Sequence, residues 1–581
     1  MSLPIDTPVD TGARANLEAA GGHLDLIQAP FTLPRSRLIL FAQGEGLRVC
    51  TSEYEKRLTD CVVFENLWAS DARGATLGIT RVLPHLIEFG DGALTLTFAG
   101  PSGLSIGLGP FHEGPASIHW ETPDGLTHSV VVGAQPTGER SSDSIIFAVE
   151  TDRRAEALAS DQHATHVSAT EAVWLHWFAK CPPVREDLRD MVAFCWWVLG
   201  ANIVEMPALG SARAVVPSKI GYVGLWQWDA YFIAVGLRHG DPELAREQLS
   251  LAFGFPGTEG QLPDVVHELG ILANSDDLPA SDRETLRRAG SSIADPAAPV
   301  PLTKPPLAAW ALRKVLEVQP ASEFGGEDWV DAHLITLRRS QDWWFAESDL
   351  DGDGMPEYGH PYSSGLDDSP IFDGPLPTTS PDLGAYLMLQ DLELAGFAER
   401  LGHDGAQELA RAHRARAACT QELLLGMWDE QSGYFRARAA GEPVPSYAVV
   451  SLMPLLTGSL PSSIKERMLG DLDDPEKFGT PWSVPTVAAN DADFSTERMW
   501  RGPVWINTNS LVIEGLRNSG EPERARTLAE QTVKLVIHGG GPHEYFNPAT
   551  GQKAKTATTA FGWSAALFID LAVQLSNDHT W

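Results

Sequence analysis

Along the first part of the chain, apolar positions recur at every second residue or gather in short runs. Leu94-Thr95-Leu96-Thr97-Phe98 alternates strictly, the period of a strand with one buried face. Arg37-Leu38-Ile39-Leu40-Phe41 and Ile145-Ile146-Phe147-Ala148-Val149 are apolar runs of strand length. Pro123-Asp124-Gly125 lies between Ser117–Glu121 and Leu126–Val132 and reads as a hairpin turn. Short strands separated by turns predict an antiparallel β-sandwich over about residues 1–165.

From about Thr170 onward the period lengthens. Val330, Leu334, Leu337, Gln341 and Trp344 share one helix face, since their spacings alternate between four and three. Roughly twelve such segments follow, centred near Phe194, Ala234, Leu249, Ala309, Leu334, Leu389, Ala412, Leu452, Arg467, Leu511, Ala529 and Leu567. Glu521–Leu535 is amphipathic, whereas Leu383–Leu389 and Ala565–Val573 are apolar nearly all round. Wetter helices outside and drier ones inside suit two concentric rings, an (α/α)6 toroid over about residues 166–581. Long loops at one end would build a pocket. They are Pro217–Trp228, Gly257–Pro306, Asp349–Pro381, Pro481–Pro503 and Gly539–Thr556.

Charge narrows the partners. A formal net charge of −34 disfavours nucleic acid and anionic membrane surfaces, which require a basic face. The five cysteines, Cys50, Cys61, Cys181, Cys195 and Cys419, contain no Cys-x-x-Cys pair, so buried free thiols in a reducing cytoplasm are expected. No signal peptide or membrane-spanning run is seen.

Chemistry concentrates in the loops. Tyr358–Pro370 carries adjacent carboxylates, Asp367 and Asp368, among Gly, Pro and Ser, residues that break a helix and display their neighbours. In an extended loop, neighbours point to opposite sides, so only one of the two should enter a pocket. The other would pair with Arg, cap a turn or hold the first one's proton by repulsion. His543-Glu544-Tyr545-Phe546-Asn547-Pro548 is a second aromatic, Pro-broken loop, and Asp367 with Glu544 is the expected acid and base pair. Asp229 follows Trp226-Gln227-Trp228 and suits either a helix-capping acid or a grip on sugar hydroxyls. Met499–Asn509 packs Trp500, Arg501 and Trp505 around a Gly-Pro turn, and Arg501 would pair a structural carboxylate, a catalytic one or a substrate oxygen.

Asp349, Asp351 and Asp353 have the oxygen spacing of a calcium loop, with Gly354 at the sixth position but His360 at the twelfth. A structural calcium closed by a remote carboxylate, or a tight Asp/Gly turn without metal, fits these residues. Gly103-Leu104-Ser105-Ile106-Gly107 matches an esterase elbow, and His538-Gly539-Gly540-Gly541 an oxyanion turn. Their order is reversed from the α/β-hydrolases, and Ser105 sits among strands, so Ser105 is expected to be structural.

Six ordered motifs carry a resemblance. They are Leu225–Asp229, Thr303–Leu307, Asp349–Glu357 with Ser364–Pro370, Trp500–Trp505, Glu544–Gly551 and Phe561–Ser564. Together they resemble glycoside hydrolase family 63, which includes processing α-glucosidases and bacterial mannosylglycerate and glucosylglycerate hydrolases; trehalases share a similar layout. The resemblance implies an inverting, exo-acting α-glycosidase, an α-glucosidase first, acting on a short α-linked oligosaccharide or glycoside. An α-mannosidase, mannosylglycerate- or trehalase-type hydrolase is the alternative, and a non-catalytic carbohydrate-binding toroid is the alternative of another class. By position it makes Asp367 the general acid and Glu544 the general base. Trp226, Trp228, Asp229, Trp500, Arg501 and Trp563 would line the sugar pocket. No cofactor is required. Family members often carry Glu where this chain has Ser363.

Overall fold

A computed structural model describes residues 11–110, 114–133, 142–206, 209–210, 212–277, 300–402 and 405–577. The chain divides into two compact units, residues 1–206 with 210–223, and residues 207–209 with 224–581.

Among the described residues of the first unit, twelve strands form two antiparallel six-stranded sheets. One sheet holds β1 (Leu38–Gln43), β2 (Gly46–Thr51), β3 (Val62–Ser70), β4 (Thr76–Leu77), β9 (Ala116–Glu121) and β10 (Thr127–Val132). The other runs in the order β12 (Ala155–Ser160), β11 (Ser144–Val149), β8 (Gly103–Leu108), β7 (Leu94–Phe98), β6 (Leu86–Phe89) and β5 (Ile79–Leu83). Phe64 and Trp120 of the first sheet meet Phe147 of the second edge-on, with ring centroids 5.0 Å apart in each case, so the sheets face each other across an apolar core. The β9–β10 hairpin turns at the expected Pro-Asp-Gly, where the Gly125 N–H donates to the Thr122 carbonyl.

The polar face of β7 is not a wet face. Thr95 and Thr97 are buried, and their hydroxyls bond His163 Nε2 (2.7 Å) and the His85 carbonyl (2.7 Å). Two further helices belong to this unit, His163–Phe178 and Arg189–Ala201, along with an N-terminal helix, Thr11–Gly21. The two six-stranded sheets end at Ser160, a further short pair joins Ile203–Glu205 to Arg213–Val215, and the compact unit runs on to Val223. The N-terminal helix escapes a period-2 reading because only Ala13, Leu17 and Ala20 are buried on it.

Ser105 lies on β8 with no exposure. Its hydroxyl bonds His163 Nδ1 at 2.8 Å, while Thr95 occupies the other ring nitrogen. Burial pushes the imidazole pKa down to about 4. Added as a side chain, a Cβ at Gly107 would fall 2.6 Å from that ring, so Gly107 makes room for a structural tie between sheet and helix.

The second unit is mainly helical. Gln227–Leu237 packs on Ala308–Val318, which packs on Pro381–Leu401. Contact then passes to Val449–Thr457, to Ile506–Asn518, to Gly562–Ser576 and back to Gln227–Leu237. Gly236 permits the last approach, since a Cβ there would lie 2.4 Å from the backbone of Ala566. Around this circuit, Pro242–Phe253 packs on the first two members, Glu327–Glu347 on the second and third, Ala406–Leu425 on the third, and Pro522–His538 on the last two. The segment centred on Leu452 is a 3₁₀ helix rather than an α-helix, because Pro454 inside it cannot donate an α-helical hydrogen bond. The face Val330, Leu334, Leu337, Gln341 and Trp344 is buried as expected.

Of the expected Gly257–Pro306 loop, residues 278–299 lie outside the described residues.

Candidate active site

The chemistry-bearing loops each lead into the N-terminus of a helix of this circuit. Helix N-termini favour negative charge, and carboxylates gather there.

The loop of the expected acid, Asp367, here the acid loop, precedes Pro381–Leu401. Pro361–Ser364 makes one 3₁₀ turn that ends at Gly365 with φ 70°, a conformation glycine adopts at low cost. Gly365 lies flat on an indole: a Cβ would sit 2.4 Å from Cζ2 of Trp228. The turn presents Asp367, half-buried, with Oδ1 enclosed and without a hydrogen-bond partner in the protein. Burial raises the Asp367 pKa to about 6; Lys304 opposes this, and Asp264 and Asp368 add to it.

Asp368 turns the other way. Its Oδ1 accepts the Trp500 N–H at 2.8 Å, and its Oδ2 pairs with Arg498 Nε at 3.2 Å. Of the roles open to the second carboxylate, it takes the pairing with Arg and also sits close enough to weigh on Asp367.

The loop of the expected base, Glu544, here the base loop, precedes Gly562–Ser576. Glu544 is buried. Its N–H donates to the Thr558 carbonyl, and its Oε2 accepts the Thr558 N–H, both at 2.9 Å. Phe546 pairs with Val504 in a two-way β-bridge, so the Glu544 and Trp505 segments run side by side. The His538-Gly539-Gly540-Gly541 run ends helix Pro522–His538 and turns the chain toward Glu544, with φ 87° at Gly540.

Asp229 lies in the first turn of Gln227–Leu237, its carboxyl buried. Burial pushes its pKa well above the carboxylate range; Lys304 opposes this, while Asp264 and Glu544 reinforce it. Asp229 therefore lies within electrostatic reach of Glu544, and Lys304 within reach of Asp229 and Asp367. That chain of fields joins the two loops at one site.

The aromatic residues form one cluster. Trp500 stacks on Trp505, and Trp505 on Tyr545. Trp563 meets Trp228 edge-on at 5.8 Å, and Trp228 tilts against Trp500 at 6.3 Å. Trp228, Trp500 and Trp563 are nearly enclosed, while Trp226 is half-buried. They build the wall rather than an open platform. Trp563 Nε1 is buried without a protein partner, a donor left for another group.

Both terminal nitrogens of Arg501 hold the carboxylate of Asp373. Glu497 in the same turn accepts from Asn547 Nδ2 (2.7 Å) and the Lys555 N–H (2.8 Å). Residues 497–501 thus tie the base loop to the acid loop, a role that spacing alone does not reveal.

Asp264 and the side chain of Lys304 are also absent from the sequence-based set of site residues. Asp264 follows Pro263 at the start of a short strand, Val265–His267, paired with Leu225–Trp226. Lys304 Nζ lies 2.7 Å from Asp264 Oδ1 and donates to the Tyr362 carbonyl at 2.6 Å. The signal for Lys304 was a Lys inside Thr303–Leu307; Asp264 had none.

The carboxylates of Asp349, Asp351 and Asp353 lie within 4.8 Å of one another. Each caps a backbone N–H of its own loop, and Glu357 Oε2 accepts the Leu350 N–H. Among the described residues no helix is long and apolar enough to cross a membrane.

Residues 222–564 match the mannosylglycerate hydrolase MGH1-like glycoside hydrolase domain. A mannosylglycerate hydrolase of Rubrobacter radiotolerans is 26% identical over 464 residues, 68% of this chain and 99% of that protein. A glucosylglycerate hydrolase of Mycolicibacterium hassiacum is 23% identical over 438 residues, 62% of this chain and 94% of the relative. A family 63 mannosylglycerate hydrolase from Thermus thermophilus, solved with Tris and D-glycerate, shares the fold with a TM-score of 0.54 at 24% identity, over 65% of this chain and 98% of that one. The chain belongs to the mannosylglycerate hydrolase MGH1-like members of glycoside hydrolase family 63, and it is a glycoside hydrolase.

Proposed function

We propose that this enzyme hydrolyses an α-glycoside of glycerate, glucosylglycerate or mannosylglycerate, with inversion, on an (α/α)6 toroid. The relatives' activities favour this substrate over a generic α-glucoside. The closed circuit of six inner segments with helices packed outside it supports the toroid.

The observation that carries the reading is the contrast around Asp367. Its carboxyl keeps its proton to a higher pH than an ordinary Asp, with a pKa of about 6, and one oxygen has no partner in the protein. That is the state a general acid needs to load a leaving oxygen. Glu544, held at Oε2 by the Thr558 N–H, activates water on the opposite ring face. No metal or organic cofactor takes part in these steps. Asp229 grips sugar hydroxyls beside Trp226, Trp228 and Trp563. Glycerate is an anion, and the chain's net charge of −34 opposes it at long range. Arg498, exposed beside Asp368, and Lys304 supply local positive charge.

The test is turnover of α-glucosylglycerate, α-mannosylglycerate and a neutral α-glucoside by the parent, Asp367→Asn and Glu544→Gln. Release of sugar from a glycerate glycoside, lost in both variants, supports the reading. Preference for the neutral glucoside, or activity retained in Asp367→Asn, contradicts it.

A further inference from the structure

Lys304 is a buried cation set among carboxylates. It has 6% of its surface exposed, and its partner Asp264 has 2%. Its ammonium lies 2.7 Å from Asp264 Oδ1 and donates to the Tyr362 carbonyl at 2.6 Å. One residue earlier, the Thr303 N–H donates to Ser363 Oγ at 3.3 Å. Two consecutive residues therefore hold the 3₁₀ turn that presents Asp367. A buried ion pair is a poor source of stability by itself, since desolvation cancels much of the attraction. This pair is placed where its field falls on the reacting carboxyl.

We propose that Lys304 is a positioning residue for hydrolysis: it pins the acid loop at Tyr362 and places a fixed positive charge beside the carboxyl of Asp367, with Asp264 as its anchor. The inference rests on the reading of Asp367 as the general acid. The charged and titratable groups around Lys304 come from every segment of the site. Asp264, Asp367 and Asp229 act on it directly and His360 faces it, while Asp368, Glu544 and Arg498 act on those neighbours, Asp368 on Asp367, Glu544 on Asp229 and Arg498 on Asp368. His360 is held neutral, its pKa pushed down to about 3 by burial and by Lys304 itself. Burial opposes the charge on Lys304, but Asp264 and Asp367 overcome it and hold its pKa above the ordinary value. Lys304 is thus a cation throughout the working range. On Asp367 its pull toward the ionised form exceeds the opposing push of Asp264. Removing the pair as a unit therefore still favours the protonated acid.

The experiment is the pH profile of kcat/KM for Lys304→Gln and for the double variant Lys304→Met/Asp264→Leu. The double variant leaves no unpaired buried charge, so it keeps the test open if Lys304→Gln does not fold. The substrates are α-glucosylglycerate and α-mannosylglycerate. The alkaline limb should move up by about one pH unit in Lys304→Gln, with a smaller upward move in the double variant. A limb that stays at the parent's position, with kcat/KM merely lowered, overturns the inference and leaves a structural ion pair. The carboxyl band of Asp367, isolated as the parent-minus-Asp367→Asn infrared difference, reads the same shift without turnover. Activity retained in Asp367→Asn instead refutes the assignment of the acid, so the two failures are distinguishable.

Discussion

Asp368→Asn separates the two adjacent carboxylates by the sign of its effect. Asp368 raises the pKa of Asp367, as the weakest of the four influences after burial, Lys304 and Asp264. Neutralising it lowers that pKa, by less than the roughly one unit a close charge partner supplies. Asp367 must be protonated to act as acid, so the alkaline limb of kcat/KM should move to lower pH. A shift of about half a unit would leave about threefold less protonated acid at pH 7. The amide oxygen of the substituted side chain can still accept the Trp500 N–H that Asp368 Oδ1 accepts at 2.8 Å, so the Trp500 segment stays in place and the plateau at low pH is largely kept. Asp368→Ala removes that acceptor as well, and a buried N–H left unpaired costs about 1–3 kcal/mol. The assay is kcat/KM against pH on the better of the two glycerate glycosides, with thermal unfolding as control. An upward shift, or an Asp368→Asn enzyme as dead as Asp367→Asn, would falsify the assignment of roles within this pair.

Three other substitutions probe the frame. Glu497→Ala removes the acceptor of Asn547 Nδ2 and the Lys555 N–H and should lower kcat/KM by about 10- to 100-fold through misplacement of the base loop; unchanged kinetics would show that the turn does not set the spacing. Ser105→Ala should leave hydrolysis unchanged while lowering the melting temperature, since His163 Nδ1 loses its 2.8 Å partner at a cost of about 1–3 kcal/mol; lost activity would return Ser105 to the chemistry. Gly236→Ala forces a methyl to within 2.4 Å of the Ala566 backbone and should destabilise by about 1–3 kcal/mol or more, read as an earlier melt; an unshifted melt would mean that the two helices can part at no cost.

The strands and helices were legible where one face is apolar. Leu94–Phe98 and the Val330–Trp344 face fall where the periodicity put them. Period does not distinguish a wet polar face from one satisfied by buried partners, which is how Thr95 and Thr97 came to be enclosed. Nor does it register a proline in a short apolar segment, as at Pro454. In the site, Asp367 and Glu544 stood out because Gly, Pro and aromatic residues surround them. Arg501 stood out for the same reason, yet its guanidinium goes to Asp373, a choice set by loop geometry. Asp264 was illegible: an Asp after Pro in an apolar stretch looks like any turn, and only the fold brings it to Lys304. Glu497 was hidden for a similar reason, since its partners Asn547 and Lys555 lie in another loop.

The most direct test of the account is the anomer released first. Proton NMR during early turnover of an α-linked glycerate glycoside should show the β-anomer ahead of mutarotation, because water activated by Glu544 attacks the face opposite the bond that Asp367 protonates. First release of the α-anomer would mean retention through a covalent intermediate and would contradict the pairing of Asp367 with Glu544 as acid and base.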